Sequence, residues 1–158
     1  MSEGNRPLYM FDACSFTELR RTYPRPHFEA VWKLIEKVCA EGRLLSVDEV
    51  FRELCAEDDE VTEWARAHSG IFLPLDEQVQ LKAREILKTH PNLVDLKKRK
   101  SGADPFLIAA TILHKAVLVT QENRSGGSPA VKIPDVCHAY GVPCIRILEV
   151  LKSEGLST

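Results

Sequence analysis

Two short apolar runs constrain this 158-residue chain more than any other feature. Pro7-Leu8-Tyr9-Met10-Phe11 stops abruptly at Asp12, and Ala116-Val117-Leu118-Val119-Thr120 gives way to Gln121-Glu122-Asn123. Neither run alternates apolar with polar residues, so each is a strand covered on both faces, as in a parallel sheet flanked by helices. Each also delivers a carboxylate just past its C-terminal end, where the ligand sites of open α/β sheets lie.

The segments between these runs read as helices. Residues 27–40 place Phe28, Val31, Trp32, Ile35, Val38 and Cys39 at three- and four-residue spacing, an amphipathic helix that Gly42 ends. Arg43-Leu44-Leu45 forms a short strand. Ser46 followed by Glu49 makes a capping box for a helix through about Cys55, with Val50, Phe51 and Leu54 on its apolar face. Further helices are expected over 59–68 and 76–88. Asp104 is positioned to cap a helix with Pro105 at its first position; Phe106 to Leu113 are then nearly all apolar, so this helix is buried.

After the second strand, 124–129 read as a glycine- and serine-bearing loop. A helix then starts near Pro134 and stops at Gly141, and a strand over 142–145 and a helix over 148–152 complete the alternation. The expected fold is a single α/β domain over 1–158, three layers α/β/α around a central, mostly parallel sheet.

Charge narrows the functional classes. A formal net charge of -2 excludes an all-over basic surface that binds nucleic acid by counterion release alone, but Lys97-Lys98-Arg99-Lys100 forms a local basic run. Five widely spaced cysteines with no CxxC pair read as reduced thiols, and no apolar stretch is long enough to span a bilayer. A cytoplasmic protein without membrane contact is expected.

A metal-dependent hydrolase needs oxygen ligands, mostly carboxylates, around hard divalent cations. Asp12 and Glu122 follow sheet strands, Asp104 opens the buried helix, and Glu53 sits on the helix after Ser46. Glu49 is the alternate to Glu53 on the same helix face, set aside because it already has a capping role. Each acid also has an architectural reading, as turn, cap or solvated residue. Their placement at points one sheet edge can bring together favours a joint site.

The residues Tyr9-Met10-Phe11-Asp12-Ala13-Cys14-Ser15, Tyr23-Pro24, Trp32, 46–54, 102–110, Val119-Thr120-Gln121-Glu122 and Ile133-Pro134-Asp135-Val136-Cys137 carry a further signal. Across nearly the whole chain they resemble the PIN-domain superfamily, and within it the PIN-like group called domain of unknown function 4411. The resemblance implies a Mg²⁺- or Mn²⁺-dependent ribonuclease, with Asp12, Glu53 and Asp104 on the three core acidic positions. At the fourth, where many PIN domains carry aspartate, this chain has Glu122.

Thr120 resembles the threonine that helps orient the acids, and the Ser15 hydroxyl is expected to support Asp12. Asn123 can offer an amide oxygen to metal or phosphate, or serve the turn. Arg20, Arg21, Lys97, Lys98, Arg99 and Lys100 are the expected phosphate contacts to a single-stranded or structured RNA. The resemblance further implies the toxin of a toxin–antitoxin pair, with an antitoxin-type protein partner and a homodimer.

The competing reading is a PIN-like module that binds RNA or protein without cleaving, motivated by Glu122. A haloacid-dehalogenase-type phosphatase requires a second aspartate two residues after the first, and Cys14 stands there. A flavodoxin-like binder requires a phosphate-binding loop after the first strand, which the chain lacks.

Overall fold

The computed structural model describes residues 6–93, 102–124 and 131–156. The basic run Lys97 to Lys100 and most of the expected loop over 124–129 lie outside the described residues. Tyr9, Met10 and Phe11 form strand β1 (Tyr9–Phe11), and all three are buried, as an unbroken apolar run requires. Parallel pairing joins β1 to β2 (Leu44–Val47) on one side and to β4 (Val117–Val119) on the other. Outside these lie β3 (Phe72–Leu73), paired with β2, and β5 (Cys144–Ile145), paired with β4. The order is β3-β2-β1-β4-β5, parallel throughout.

The chain therefore steps outward from β1 through β2 to β3, returns to the far side of β1 as β4, and continues to β5. With right-handed crossovers, the reversal places the connections before and after it on opposite faces of the sheet. Helices α1 (Ala13–Thr22), α3 (Asp48–Glu57), α4 (Glu60–Ala67) and α8 (Ile147–Ser153) pack together; α2 (Glu29–Ala40) lies against β2. A second group comprises α5 (Glu77–Thr89), α6 (Asp104–His114) and α7 (Ile133–Tyr140). This is the three-layer α/β/α arrangement, and the sheet is wholly rather than mostly parallel among the described residues.

Residues from both helix groups and the sheet share one hydrophobic core, in which Phe11, Leu107, Ile108 and Leu118 are fully buried. Burying each such side chain contributes about 1.5–3 kcal/mol. Among the described residues no helix is long and apolar enough to cross a membrane.

Three local expectations need correction. Asp12 caps a helix, α1, which the pattern reading passed over: its carboxylate Oδ1 accepts from the Ser15 N–H at 2.8 Å, and Phe16 and Leu19 bury behind it. The Ser46–Glu49 capping box does not form. Ser46 belongs to β2 and its hydroxyl donates to the Phe11 carbonyl at 2.7 Å, so strand pairing takes the group that would have capped; α3 starts after Val47 with no side-chain cap, and Glu49 pairs with Arg52 instead. Asp104 is the first residue of α6 rather than its cap, which is Ala103.

The opposite end of the sheet is clamped by charge. Arg43, just before β2, directs its guanidinium to Glu154 beyond α8 at 2.5 and 3.0 Å, to Glu41 at 2.6 Å and to the Pro7 carbonyl at 3.2 Å. The Tyr9 hydroxyl donates to the same Glu154 carboxylate at 2.6 Å.

Candidate active site

In a sheet of this order the switch point lies between β1 and β4, and a crevice opens beyond their C-terminal ends. Asp12 follows β1 there, and its N–H donates to the Val119 carbonyl of β4 at 3.1 Å, locking the two strand ends together. The Asp12 residue is 4% exposed. Burial pushes its carboxyl above the ordinary aspartate range, opposed by hydrogen bonds from Cys14, Thr120 and Ser15.

Ser15 enters through its backbone N–H, while its hydroxyl donates to the Val119 carbonyl at 2.9 Å and ties α1 to β4. The contact missed by sequence reasoning is that of Cys14 with Asp12. Its thiol donates to Asp12 Oδ2 at 3.0 Å and its sulfur accepts from the Gln121 N–H at 3.3 Å. Burial and the Asp12 charge push this thiol far up, so it is a neutral donor and not a thiolate nucleophile. Its place in the first turn of α1, two residues past the cap, was the available signal.

Glu53, on α3, is brought to the same crevice. Burial raises its carboxyl, the Ala103 N–H donates to it, and the charges of Asp12 and Glu49 raise it further. Ala103 precedes Asp104, so this one hydrogen bond sets Glu53 beside the start of α6 and the half-buried Asp104. Glu49 does not cap, so that reason for preferring Glu53 falls. The contact with Ala103 replaces it.

On the β4 side, the Thr120 hydroxyl accepts from the Glu122 N–H at 3.1 Å and also hydrogen-bonds Asp12. Glu122 Oε2 accepts from the Ile133 N–H at 3.1 Å. Burial raises its carboxyl, that hydrogen bond opposes the rise, and Asp12 adds to it. Asn123 is exposed and its Oδ1 accepts from the Arg146 guanidinium. Three acids thus satisfy the starts of three different helices: Asp12 holds α1, Glu53 holds α6 through its cap residue, and Glu122 holds α7. Helix starts leave N–H groups unpaired and carry partial positive charge, which is how anions this close are tolerated.

Oxygen donors of this kind suit a hard divalent cation. Among the described residues, however, no three His, Cys, Asp or Glu side chains stand close enough together to hold one ion. The Asp12, Glu53 and Glu122 carboxylates each accept from a backbone amide. Of the expected phosphate contacts, Arg21 is exposed at the end of α1, whereas Arg20 pairs with Asp59 at 3.2 Å. All five cysteines are free, and the Cys137 and Cys144 thiols, far from any CxxC spacing, hydrogen-bond each other.

Fold and site together define a class: an all-parallel, doubly wound α/β protein with carboxylates gathered at the switch point. Residues 9–158 match the family described as domain of unknown function (DUF4411), and the chain belongs to it. No match to the chain was found among curated proteins.

Proposed function

We propose that the chain is a Mg²⁺- or Mn²⁺-dependent ribonuclease of the PIN-domain superfamily. The observation that carries this reading is the buried Asp12 carboxylate at the switch point, with Glu53 and Glu122 close enough for its charge to raise both. Like charges around a buried carboxylate are stabilised by taking up protons or a cation. Asp12, Glu53, Asp104 and Glu122 would hold the cation, which when bound supplies a water of lowered pKa and neutralises charge developing on the phosphate.

The chain's own residues do the positioning. The Ser15 N–H and Cys14 thiol fix the two oxygens of Asp12, and Thr120 braces the turn that carries Glu122. The glutamates have more rotatable bonds than the aspartates, and they would be the ligands free to turn from their backbone amides toward an ion. On this reading RNA is the substrate, and an antitoxin-type protein would regulate the chain as a toxin.

The second reading, a PIN-like RNA- or protein-binding module without cleavage, is favoured by one observation, that no three ligands among the described residues are closely set. Calorimetric titration of Mn²⁺ into wild type and Asp104→Asn, paired with cleavage of mixed single-stranded RNAs, separates the two. The nuclease reading expects binding and cleavage in the wild type and loss of both in the variant. A wild type that binds no Mn²⁺ leaves the module.

A further inference from the structure

The crevice does not end at Glu122. On the β4–β5 side it continues into a cleft of about 360 Å³ between the exit of β4, the outer face of α7 and the turn from β5 into α8. That volume falls in the range of roughly 300–1,000 Å³ typical of small-molecule sites. Thr120 and Glu122 line one end, Pro134, Val142 and Ile145 give it apolar walls, and Arg124 and Arg146 contribute two guanidinium groups.

The charges in this cleft are not equally engaged. Glu122 accepts from the start of α7, and Glu149 accepts from the Arg146 N–H at the start of α8. Both acidic groups therefore have part of their charge directed at backbone amides. Arg146 gives its guanidinium to the neutral Asn123 side chain, and Arg124 pairs with Asp135 at 3.5 Å with its side chain 61% exposed. An arginine has five N–H donors in a planar fork that matches phosphate, so each retains donors for an anion. Apolar walls beside a pair of phosphate-matching forks, opening onto the carboxylates, have the chemistry of a nucleotide site.

We propose that this cleft binds one unpaired nucleotide, its base against Pro134, Val142 and Ile145 and its phosphate at Arg124 and Arg146. Resting on the ribonuclease reading, the cleft holds the nucleotide next to the scissile phosphate and restricts the substrate to single-stranded RNA. A duplex cannot present an unstacked base, whereas loops and single strands can.

The test separates the cleft from the chemistry. Nucleoside 5′-monophosphates, inorganic phosphate and tetrauridylate are titrated in EDTA, where no metal-dependent cleavage occurs, into wild type, Arg146→Ala and Val142→Trp. The first variant removes a fork and the second fills the cleft. Wild type is expected to bind nucleotide better than inorganic phosphate, with affinity reduced by about tenfold or more in either variant, on the scale of a lost charge-assisted hydrogen-bond pair.

Tighter tetrauridylate than monophosphate binding assigns the cleft to a residue of an RNA strand. Equal binding assigns it to a free nucleotide. Absence of nucleotide binding in the wild type, or undiminished binding in both variants, overturns the proposal. Nucleotide binding without Mn²⁺-dependent cleavage leaves the cleft standing and removes the nuclease; cleavage with an unchanged KM for single-stranded RNA in Arg146→Ala and Val142→Trp does the reverse.

Discussion

Replacing Asp12 with asparagine should make the metal-free protein more stable, the opposite of what changing a buried polar core residue ordinarily does. Asn caps a helix as well as Asp, so the Ser15 N–H keeps its acceptor and α1 its start. The amide nitrogen can face Cys14 and reverse the direction of that hydrogen bond. What disappears is a buried negative charge that raises Glu53 and Glu122. Loss of the favourable interaction with the α1 dipole costs about 0.3–1 kcal/mol, against a relieved desolvation penalty on the order of 1–3 kcal/mol.

The net gain is on the order of 1–2 kcal/mol, or a rise in Tm of about 2–8 °C for a chain of this length. The sign with pH follows from the direction of the shift. Asp12 titrates higher folded than unfolded, so its ionisation weakens the wild type as pH rises through the folded value. Below the ordinary aspartate range both states are protonated, and the two proteins should converge. On the ribonuclease reading Mn²⁺ should reverse the order at neutral pH: at a concentration 100 times Kd it would stabilise the wild type by about 2.7 kcal/mol and the variant far less. Differential scanning fluorimetry in EDTA and in Mn²⁺, at neutral and acid pH, reads all of this. A variant less stable than wild type in EDTA by the same margin at every pH would refute the reasoning.

Cys14→Val should destabilise the metal-free protein by about 1–2 kcal/mol, because Asp12 Oδ2 loses a donor to a charged acceptor, while Cys14→Ser should recover most of it; urea titration checks this, and the penalty should shrink in an Asp12→Asn background. At the other end of the sheet, Arg43 and Glu154 have side chains 8% and 12% exposed. Glu154→Ala leaves Arg43 only Glu41 and a carbonyl, at a cost on the order of 2–3 kcal/mol, near the lower limit for breaking a buried pair. A double-mutant cycle with Arg43→Met should show most of that cost as coupling, with no change in Mn²⁺ affinity, since the clamp lies away from the acids.

The layers were legible in the sequence because the signals were strong and local. An unbroken apolar run becomes a two-face-buried strand, and β1 and β4 fall where such runs predict. The helices α2, α5 and α6 follow their apolar spacing or content. Less legible were features decided by tertiary contact. Ser46 carries a helix-start signature, yet its hydroxyl is taken by the Phe11 carbonyl across the sheet. Strand β3 has two residues and no periodicity to detect. Helix α1 was hidden because Asp12 reads equally as a site residue or a strand-end turn, although an aspartate directly after a strand can also cap a helix through the N–H three residues on.

Asp12 lies near enough to Glu53 and Glu122 for its charge to raise both, but the partners of these acids could not be read from spacing. Glu53 is held by a backbone amide fifty positions along the chain, and Glu122 by one across the segment leading to α7. Backbone donors leave no mark in side-chain patterns. That is also why Glu49 and Glu53 could not be separated by sequence: the discriminating group is the Ala103 N–H, which any residue but proline would supply.

The three caps also explain how one fold can sit between the two functional readings. A carboxylate that satisfies a helix start is at rest without a cation, so the cluster can persist in a metal-free chain, and its acids need not converge until an ion competes for them. Asp12 is held on a short side chain, its Oδ1 by the Ser15 N–H and its Oδ2 by the Cys14 thiol. Glu53 and Glu122 can leave their amides, since their side chains are longer. Metal uptake would then draw on the two glutamates, exchanging a hydrogen bond at α6 and one at α7 for coordination. On the ribonuclease reading, the Glu122 carboxylate would serve α7 in one state and an ion in the other.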